Sequence, residues 1–346
     1  MAAVTSSEGR RLERLAEELE EAGLPHVEDE ELRTMLLDEV DRALRPAVHE
    51  RHIPSSGTIL EPGASSEQWG PGTQLDIVHM PVGDVRLADA RRFVDGLSSW
   101  LVRRAGPPGD EWLLFDRPAG SERDLVVIAK VLGACLVQRH PSGVVRIVDH
   151  FGVMRWEGLR WHHEPPISTW VAALGDGDDA GDPEILEALL RLAVHDLGAL
   201  GIGALLIYRP GADPEPRVEE RLPPPPPLRV LKASHLAPLR HALAQVDGAA
   251  VFDAAGILQR LGVELVASPE ADRRLPPWRG TRHTAALRYS RDDPGAVVIV
   301  VSEDGPVSVV RSGIALERAP SFARPIGGVD VVAEGVGGVG GETELG

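Results

Sequence analysis

Lysine is almost missing from this chain of 346 residues: Lys130 and Lys232 are the only two, against 36 Lys and Arg together. Neither sits in a Gly-x-x-x-x-Gly-Lys pattern, which excludes a P-loop. Any phosphate must then be held by arginine, histidine, backbone N–H groups or a metal ion. Cysteine is reduced to Cys135, inside the apolar run Leu132-Gly133-Ala134-Cys135-Leu136-Val137. No disulfide framework can form within one chain, so Cys135 reads as a core residue in a reducing, cytoplasmic setting. Runs of Lys or Arg are absent and the net charge is −17, so nucleic acid is not an expected partner. No apolar stretch reaches the length of a bilayer span. Met1-Ala2-Ala3-Val4 is followed by charged residues, not by the apolar core of a signal peptide. The expectation is a cytoplasmic protein with no membrane partner.

What is present is enough for two ordinary cores, with 43% hydrophobic residues. Leu12, Leu15, Leu19 and Ala22 form one stripe of a helix over 8–23, and Leu32, Met35, Leu36, Val40 and Leu44 that of a second over 29–47, with Asp29 as its N-cap. The pair is either packing for the next domain or a dimerisation arm. Residues 50–172 read as an α/β unit. Its elements are a helix over Val85–Ala105, a strand at Glu111–Phe115, a helix over Glu122–Gly133, strands at Ala134–Gln138 and Val144–Asp149, and a hairpin at Gly152–Trp161. Phe151, Trp156, Trp161 and Trp170 concentrate aromatics in a chain only 4% aromatic. Beside Arg155, Arg160, His162 and His163 they could line a ligand pocket, but a hydrophobic core needs them more. The neighbours His162 and His163 point opposite ways in a strand and lack the i, i+4 spacing of helical zinc ligands, so His162-His163-Glu164 is not read as a metal site.

The acidic, breaker-rich stretch Leu174–Pro183 reads as a linker, with Asp182 as N-cap and Pro183 at the first position of a helix through Ile185, Leu189, Leu192, Ala193 and Leu197. Residues 210–227, with five consecutive prolines at Pro223–Pro227, resemble a second boundary. The Gly-rich acidic run from Gly327 to Gly346 reads as a disordered tail.

Three short segments carry the chemistry: Asp247-Gly248-Ala249, Gly280-Thr281-Arg282-His283 and Ser302-Glu303-Asp304. Each borders an apolar run; the third ends the buried strand Ala296–Val301. Carboxylates supply hard oxygen ligands for a metal ion, and Arg and His supply donors for phosphate oxygens. Each also has a plain reading: an Asp-Gly turn into the strand Ala250–Phe252, a helix start capped by Thr281, and a polar strand exit. Their joint presence, in order, is what favours function.

These three segments resemble the DGA, G-T-R-H-R and S-E-E motifs of the diadenylate cyclase (DAC) domain. Asp196–Ile207 is similar to that family's first strand, so the resemblance covers roughly residues 183–316. It implies an α/β fold: a C-terminal DAC-like domain with a central mixed β-sheet flanked by helices, plus an N-terminal α/β domain preceded by a helical segment. The expected boundaries are 1–49 for the helical segment, 50–172 for a sensor domain, 173–182 for the linker, 183–318 for the cyclase domain with 210–227 as an internal Pro-rich loop, and 319–346 for the tail. Residues 50–172 are loosely similar to sensor domains that precede some DAC domains, with no motif to carry over residue by residue.

The implied activity is condensation of two ATP into cyclic di-AMP and two pyrophosphates. The domains of a homo-oligomer would pair face to face, under a small-molecule or protein signal at the N-terminal domain. Asp247, Arg282, His283 and Glu303 would be catalytic. Gly248, Ala249, Gly280, Thr281, Arg282, His283, Thr284 and Ser302 would bind ATP, and Asp247 and Glu303 would hold Mg²⁺ or Mn²⁺. The alternative is a catalytically weak nucleotide-sensing module that signals by protein contacts. Three positions depart from the pattern. Thr284 replaces a second Arg, for which Arg279 or Arg288 could substitute; Asp304 replaces the second Glu; Val246 replaces the His that precedes DGA in part of the family. DNA-scanning relatives carry a helix-hairpin-helix region, for which no counterpart is read here.

Overall fold

The computed structural model describes residues 7–48, 50–175, 181–211, 217–303 and 306–316. The predicted tail and Asp304 lie outside these residues. The chain is a mixed α/β protein with two mixed sheets. Two helices, α1 (Ser7–Glu21) and α2 (Glu30–Leu44), come first. Asp29 caps α2, accepting from the N–H groups of Glu31 and Leu32 at 2.9 Å each.

The first sheet has eight strands: β1 (Ser56–Leu60), β2 (Ile77–Pro81), β3 (Ser99–Arg103), β4 (Glu111–Phe115), β5 (Cys135–Arg139), β6 (Val145–Asp149), β7 (Gly152–Trp156) and β8 (Trp161–Glu164). Their spatial order is β2-β4-β3-β1-β5-β6-β7-β8, and only the β1–β3 pair is parallel. Side chains alternate between two cores, as the strand period of two requires. Leu60, Cys135, Val137, Ile147 and Met154 pack under α1 and α2. Ile59, Leu136, Val148 and Val153 pack under α3 (Trp69–Thr73) and α5 (Glu122–Leu132). The N-terminal helices thus cover a sheet face of the next domain, as the packing reading requires.

The helix expected over Val85–Ala105 is not formed. Helix α4 is only Leu87–Ala90. Asp95 then accepts from the N–H groups of Leu97, Ser98 and Ser99 at 2.7, 2.8 and 2.9 Å, and Gly96 takes φ +68°. A carboxylate that satisfies three successive N–H groups stops a helix. Trp100, Leu101 and Val102 are instead fully buried in the inner strand β3.

The tryptophans divide between cores. Trp161 packs with Phe151 under α1 and α2, whereas Trp170 joins Ile167 and Leu174 of α6 (Ile167–Leu174) in the core of the second sheet. Cys135 is buried, and burial, helped by Asp149, pushes its thiol up.

The second sheet has seven strands: β9 (Ala204–Tyr208), β10 (Val218–Glu219), β11 (Ala249–Phe252), β12 (Leu258–Leu265), β13 (Val297–Val301), β14 (Ser308–Arg311) and β15 (Ile314–Ala315), in the order β10-β12-β11-β9-β13-β14-β15. Strand β11 runs parallel to β9 and β13 antiparallel to it. Residues 204, 206, 250, 252, 297, 299 and 301 face α6, α7 (Pro183–Arg191), a π-helical stretch at Leu192–Leu197 and α8 (Ala233–Leu243). Residues 205, 207, 249, 251, 298 and 300 face α10 (Thr281–Asp292), which follows the short α9 (Pro269–Arg274). The central mixed sheet flanked by helices is the expected one. No helix among the described residues is long and apolar enough to cross a membrane.

Candidate functional site

Strand register brings two of the three predicted segments together. Ala249 pairs with Leu205 across β11 and β9, and Val301 pairs with Ala204 across β13 and β9. Val301 thus leads β13 out to Ser302 and Glu303 at the end of the sheet where β9 begins after Gly203, and Asp247 enters β11 at the same end, across the Gly248 bend at φ +106°. The third segment joins from α10: Arg282 Nη1 lies 3.1 Å from Glu303 Oε1.

Gly203 is the residue that sequence reasoning missed. A Cβ there would lie 2.2 Å from Arg282 Nη1 and 3.0 Å from Glu303 Cγ. The absent side chain is the floor on which the ion pair rests. The only signal is the glycine-rich spelling Gly198-Ala199-Leu200-Gly201-Ile202-Gly203.

The two carboxylates differ. Asp247 is exposed and has no partner among the described residues. Glu303 is paired, but with side-chain exposures of 60% for Glu303 and 38% for Arg282 the pair is worth about 0–1 kcal/mol, so an incoming ion can separate it at little cost. Among the described residues no group of three or more His, Cys, Asp or Glu could hold a metal.

Gly248 and Ala249 are small for reasons internal to the fold. Gly248 has φ +106°, and a Cβ would lie 2.7 Å from Gly262 C and 2.8 Å from Val263 O of β12. The Ala249 side chain is buried with Leu205 and Val263. Both can meet a ligand only through their backbone.

At the start of α10, Gly280 is the N-cap at φ 112°, with no side-chain cap, and Thr281 is the first helical residue. The free N–H groups of this turn are suited to an anion. His283 is buried rather than solvent-facing, its ring edge-on to Trp278 with centroids 5.2 Å apart. Burial, then Arg279 and Arg282, push its pKa down, so the imidazole is neutral at neutral pH. Thr284 Oγ donates to Gly280 O at 2.8 Å or Trp278 O at 3.1 Å and accepts from Trp278 N–H at 2.9 Å. Its hydroxyl braces the loop before the helix.

Of the two candidate substitutes for the replaced arginine, Arg288 is committed to Leu275 O and to Asp272. Arg279 is exposed over the Trp278 ring, 5.1 Å from its centroid, in the left-handed region at φ +47°. Exposed as it is, Arg279 is the one of the two open to a ligand.

The second domain is clamped to the first by buried charge. Arg155 of β7 makes two 2.6 Å bonds to Glu122 and donates to Val194 O at 2.9 Å. His195 Nδ1 lies 2.8 Å from Glu122 Oε1. Burial alone would raise the Glu122 pKa, but Arg155 and then His195 hold it well below the usual carboxylate range. Nothing in the local sequence around Glu122 or His195 announced this network.

No curated protein matches the chain. Eleven chains of solved structures are similar to it. One is the crystal structure of a hypothetical membrane spanning protein from Bacillus cereus, 21% identical over 40% of this chain and 69% of that one, with a TM-score of 0.32. The family model "DisA bacterial checkpoint controller nucleotide-binding" (DAC) matches residues 228–315, and "Probable sensor domain DACNK" matches residues 13–164. The chain thus carries a segment that matches the DAC nucleotide-binding model, preceded by one that matches the model of a probable sensor domain.

Proposed function

We propose that the protein is a diadenylate cyclase that condenses two ATP into cyclic di-AMP. The observation that carries this reading is the Arg282–Glu303 pair packed over Gly203, at the end of the sheet where Asp247 also leads into β11. In each half-reaction the O3′–Pα bond forms as the bond from Pα to the bridging oxygen of the leaving pyrophosphate breaks. Two such steps release two pyrophosphates. One domain offers one site, and the two-fold product calls for two domains facing each other in a homo-oligomer.

Asp247 and Glu303 are hard oxygen donors, and one or two carboxylates plus phosphate oxygens is the usual protein share of a Mg²⁺ site. The donor set therefore fits Mg²⁺ or Mn²⁺, held by Asp247 and Glu303, which when bound neutralises phosphate charge. Asp247, exposed and unengaged, accepts a hydrogen bond from the attacking 3′-hydroxyl. Arg282 turns from Glu303 to phosphate oxygens, and the first N–H groups of α10 and the Ser302 hydroxyl add donors. Neutral His283 fixes the first turn of α10 against Trp278 and leaves the cationic work to Arg282 and Arg279.

A second reading has one observation in its favour. The Arg282–Glu303 pair already neutralises one carboxylate, as a module that binds nucleotide without turning it over would tolerate. Incubation of the full chain with ATP and Mg²⁺ or Mn²⁺, followed by mass spectrometry, separates the two. Cyclic di-AMP is the expected product. ATP bound but never turned over, with either metal and at high protein concentration, overturns the enzyme in favour of the sensor.

A further inference from the structure

Val307, four residues beyond Glu303, is held by the sensor domain. Glu164 is the last residue of β8, the edge strand of the first sheet, and is 1% exposed. Its Oε1 accepts from the backbone N–H of Val307 at 2.8 Å, in a buried contact between residues 143 apart in sequence. Arg155 Nη1 stands 3.7 Å from the same oxygen. Val307 is itself buried and lies four residues beyond Glu303. The last ladder pair of the β13–β14 hairpin is Val300 with Ser308, so Val307 lies just outside the ladder. Its N–H would be a buried orphan without Glu164.

The near end of the site is held from the same side. Arg155 donates to Val194 O, and Arg146 of β6 donates to Ala199 O at 3.4 Å. A Cβ on Gly198 would stand 3.7 Å from Arg155 Nη1 and 3.8 Å from Val301 Cγ1. The sensor sheet therefore touches the helical segment that leads to Gly203, and Gly198 of that segment lies between Arg155 and Val301.

We propose that Glu164 is a positioning residue of the sensor domain. It fixes Val307, where the chain enters β14 four residues after Glu303, so that the sensor sheet bears on the geometry of the candidate site. This rests on the reading of Glu303 as a site carboxylate, and it gives the N-terminal domain a route to the site besides control of domain pairing. The acceptor oxygen is what matters. Glu164→Gln keeps an oxygen for Val307 N–H, whereas Glu164→Ala does not.

The test uses the full chain with both variants and three readouts. Amide exchange over residues 302–309 should quicken at least tenfold in Glu164→Ala and stay near wild type in Glu164→Gln. The Mn²⁺ concentration at half-saturation with ATP present, followed by paramagnetic resonance of the free ion, should rise several-fold in Glu164→Ala only. Turnover should fall about tenfold in Glu164→Ala, with the ATP concentration at half-maximal rate unchanged. A merely structural loss lowers the folded fraction and the rate but leaves the metal half-saturation where it was. Wild-type exchange and metal affinity in both variants overturn the proposal, as do equal defects in both, which would make the charge facing Arg155 the cause. Should the wild type bind Mn²⁺ and ATP without making product, the cyclase reading fails alone, while exchange and metal binding still decide the role of Glu164.

Discussion

The carboxylate of Glu122, at the start of α5 in the sensor domain, meets the imidazole of His195 in the second domain at 2.8 Å, and both are buried. With Arg155 in bidentate contact with Glu122, this is a buried three-residue polar junction at which the domains meet.

The Glu122 carboxyl is held down in the folded protein, so the stability it confers is present above the ordinary carboxylate value of about 4.3 and is lost progressively as the pH falls below it towards the folded value. Glu122→Gln leaves Arg155 buried beside a neutral amide and should cost about 3–5 kcal/mol near pH 7. That cost should shrink as the pH drops from 6 towards 3. Thermal melts of both proteins across this range check it. A gap that stays constant with pH would show that folding does not lower the Glu122 pKa.

Two glycines of the site should respond in opposite ways to the same substitution. In Gly203→Ala the nearest atom to the new methyl is the far end of the Arg282 side chain, which can swing aside, so stability should change by no more than about 1 kcal/mol. The Arg282–Glu303 pair must move, and turnover should fall about tenfold. Gly248→Ala meets backbone of β12 at positive φ, a conformation that costs an alanine about 1–2 kcal/mol before any clash. It should lower the melting temperature first. A Gly203→Ala protein with wild-type kinetics would remove Gly203 from the site.

Asp247→Asn should abolish turnover with the fold intact. The side chain is exposed and unpartnered among the described residues, so stability should stay within about 0.5 kcal/mol of wild type. Wild-type rates in the well-folded variant would return Asp247 to the status of a turn residue.

Much of this was readable before any coordinates because the signals are local. Strand β13 is an unbroken apolar run buried on both faces, and α2 announces itself through Asp29 and a stripe of periodicity. The segment 85–105 misled because its apolar spacing suits a helix, while the decision lies with Asp95 and Gly96, which end it through hydrogen bonds and a positive φ. The site was legible as three motifs, but its floor was not. Gly203 matters through Arg282 and Glu303, far away in sequence, and no window around it contains either. The contacts among Glu122, Arg155, Glu164 and His195 were not legible for the same reason. Each looks like an ordinary charged residue until folding brings it to the domain junction.

The last expectation concerns concentration. If each product needs two sites facing one another, the specific rate should rise with protein concentration until the productive pair saturates. A shift of ~1.4 kcal/mol in pairing changes the paired population about tenfold at low occupancy, so the sensor domain can exert large control with a small bias. Removing that domain tests it, but the cut matters. A truncation beginning at Asp182 would strip Ile167, Trp170 and Leu174 of α6 from the second core, a loss of buried apolar surface unrelated to signalling. Beginning at Pro165 keeps α6 and removes the Glu164 contact and the Arg155–Glu122 clamp together. This shorter chain should retain chemistry with a changed concentration dependence. A specific rate that stays flat in the full chain, down to dilutions where sedimentation finds only monomers, rules out the paired site.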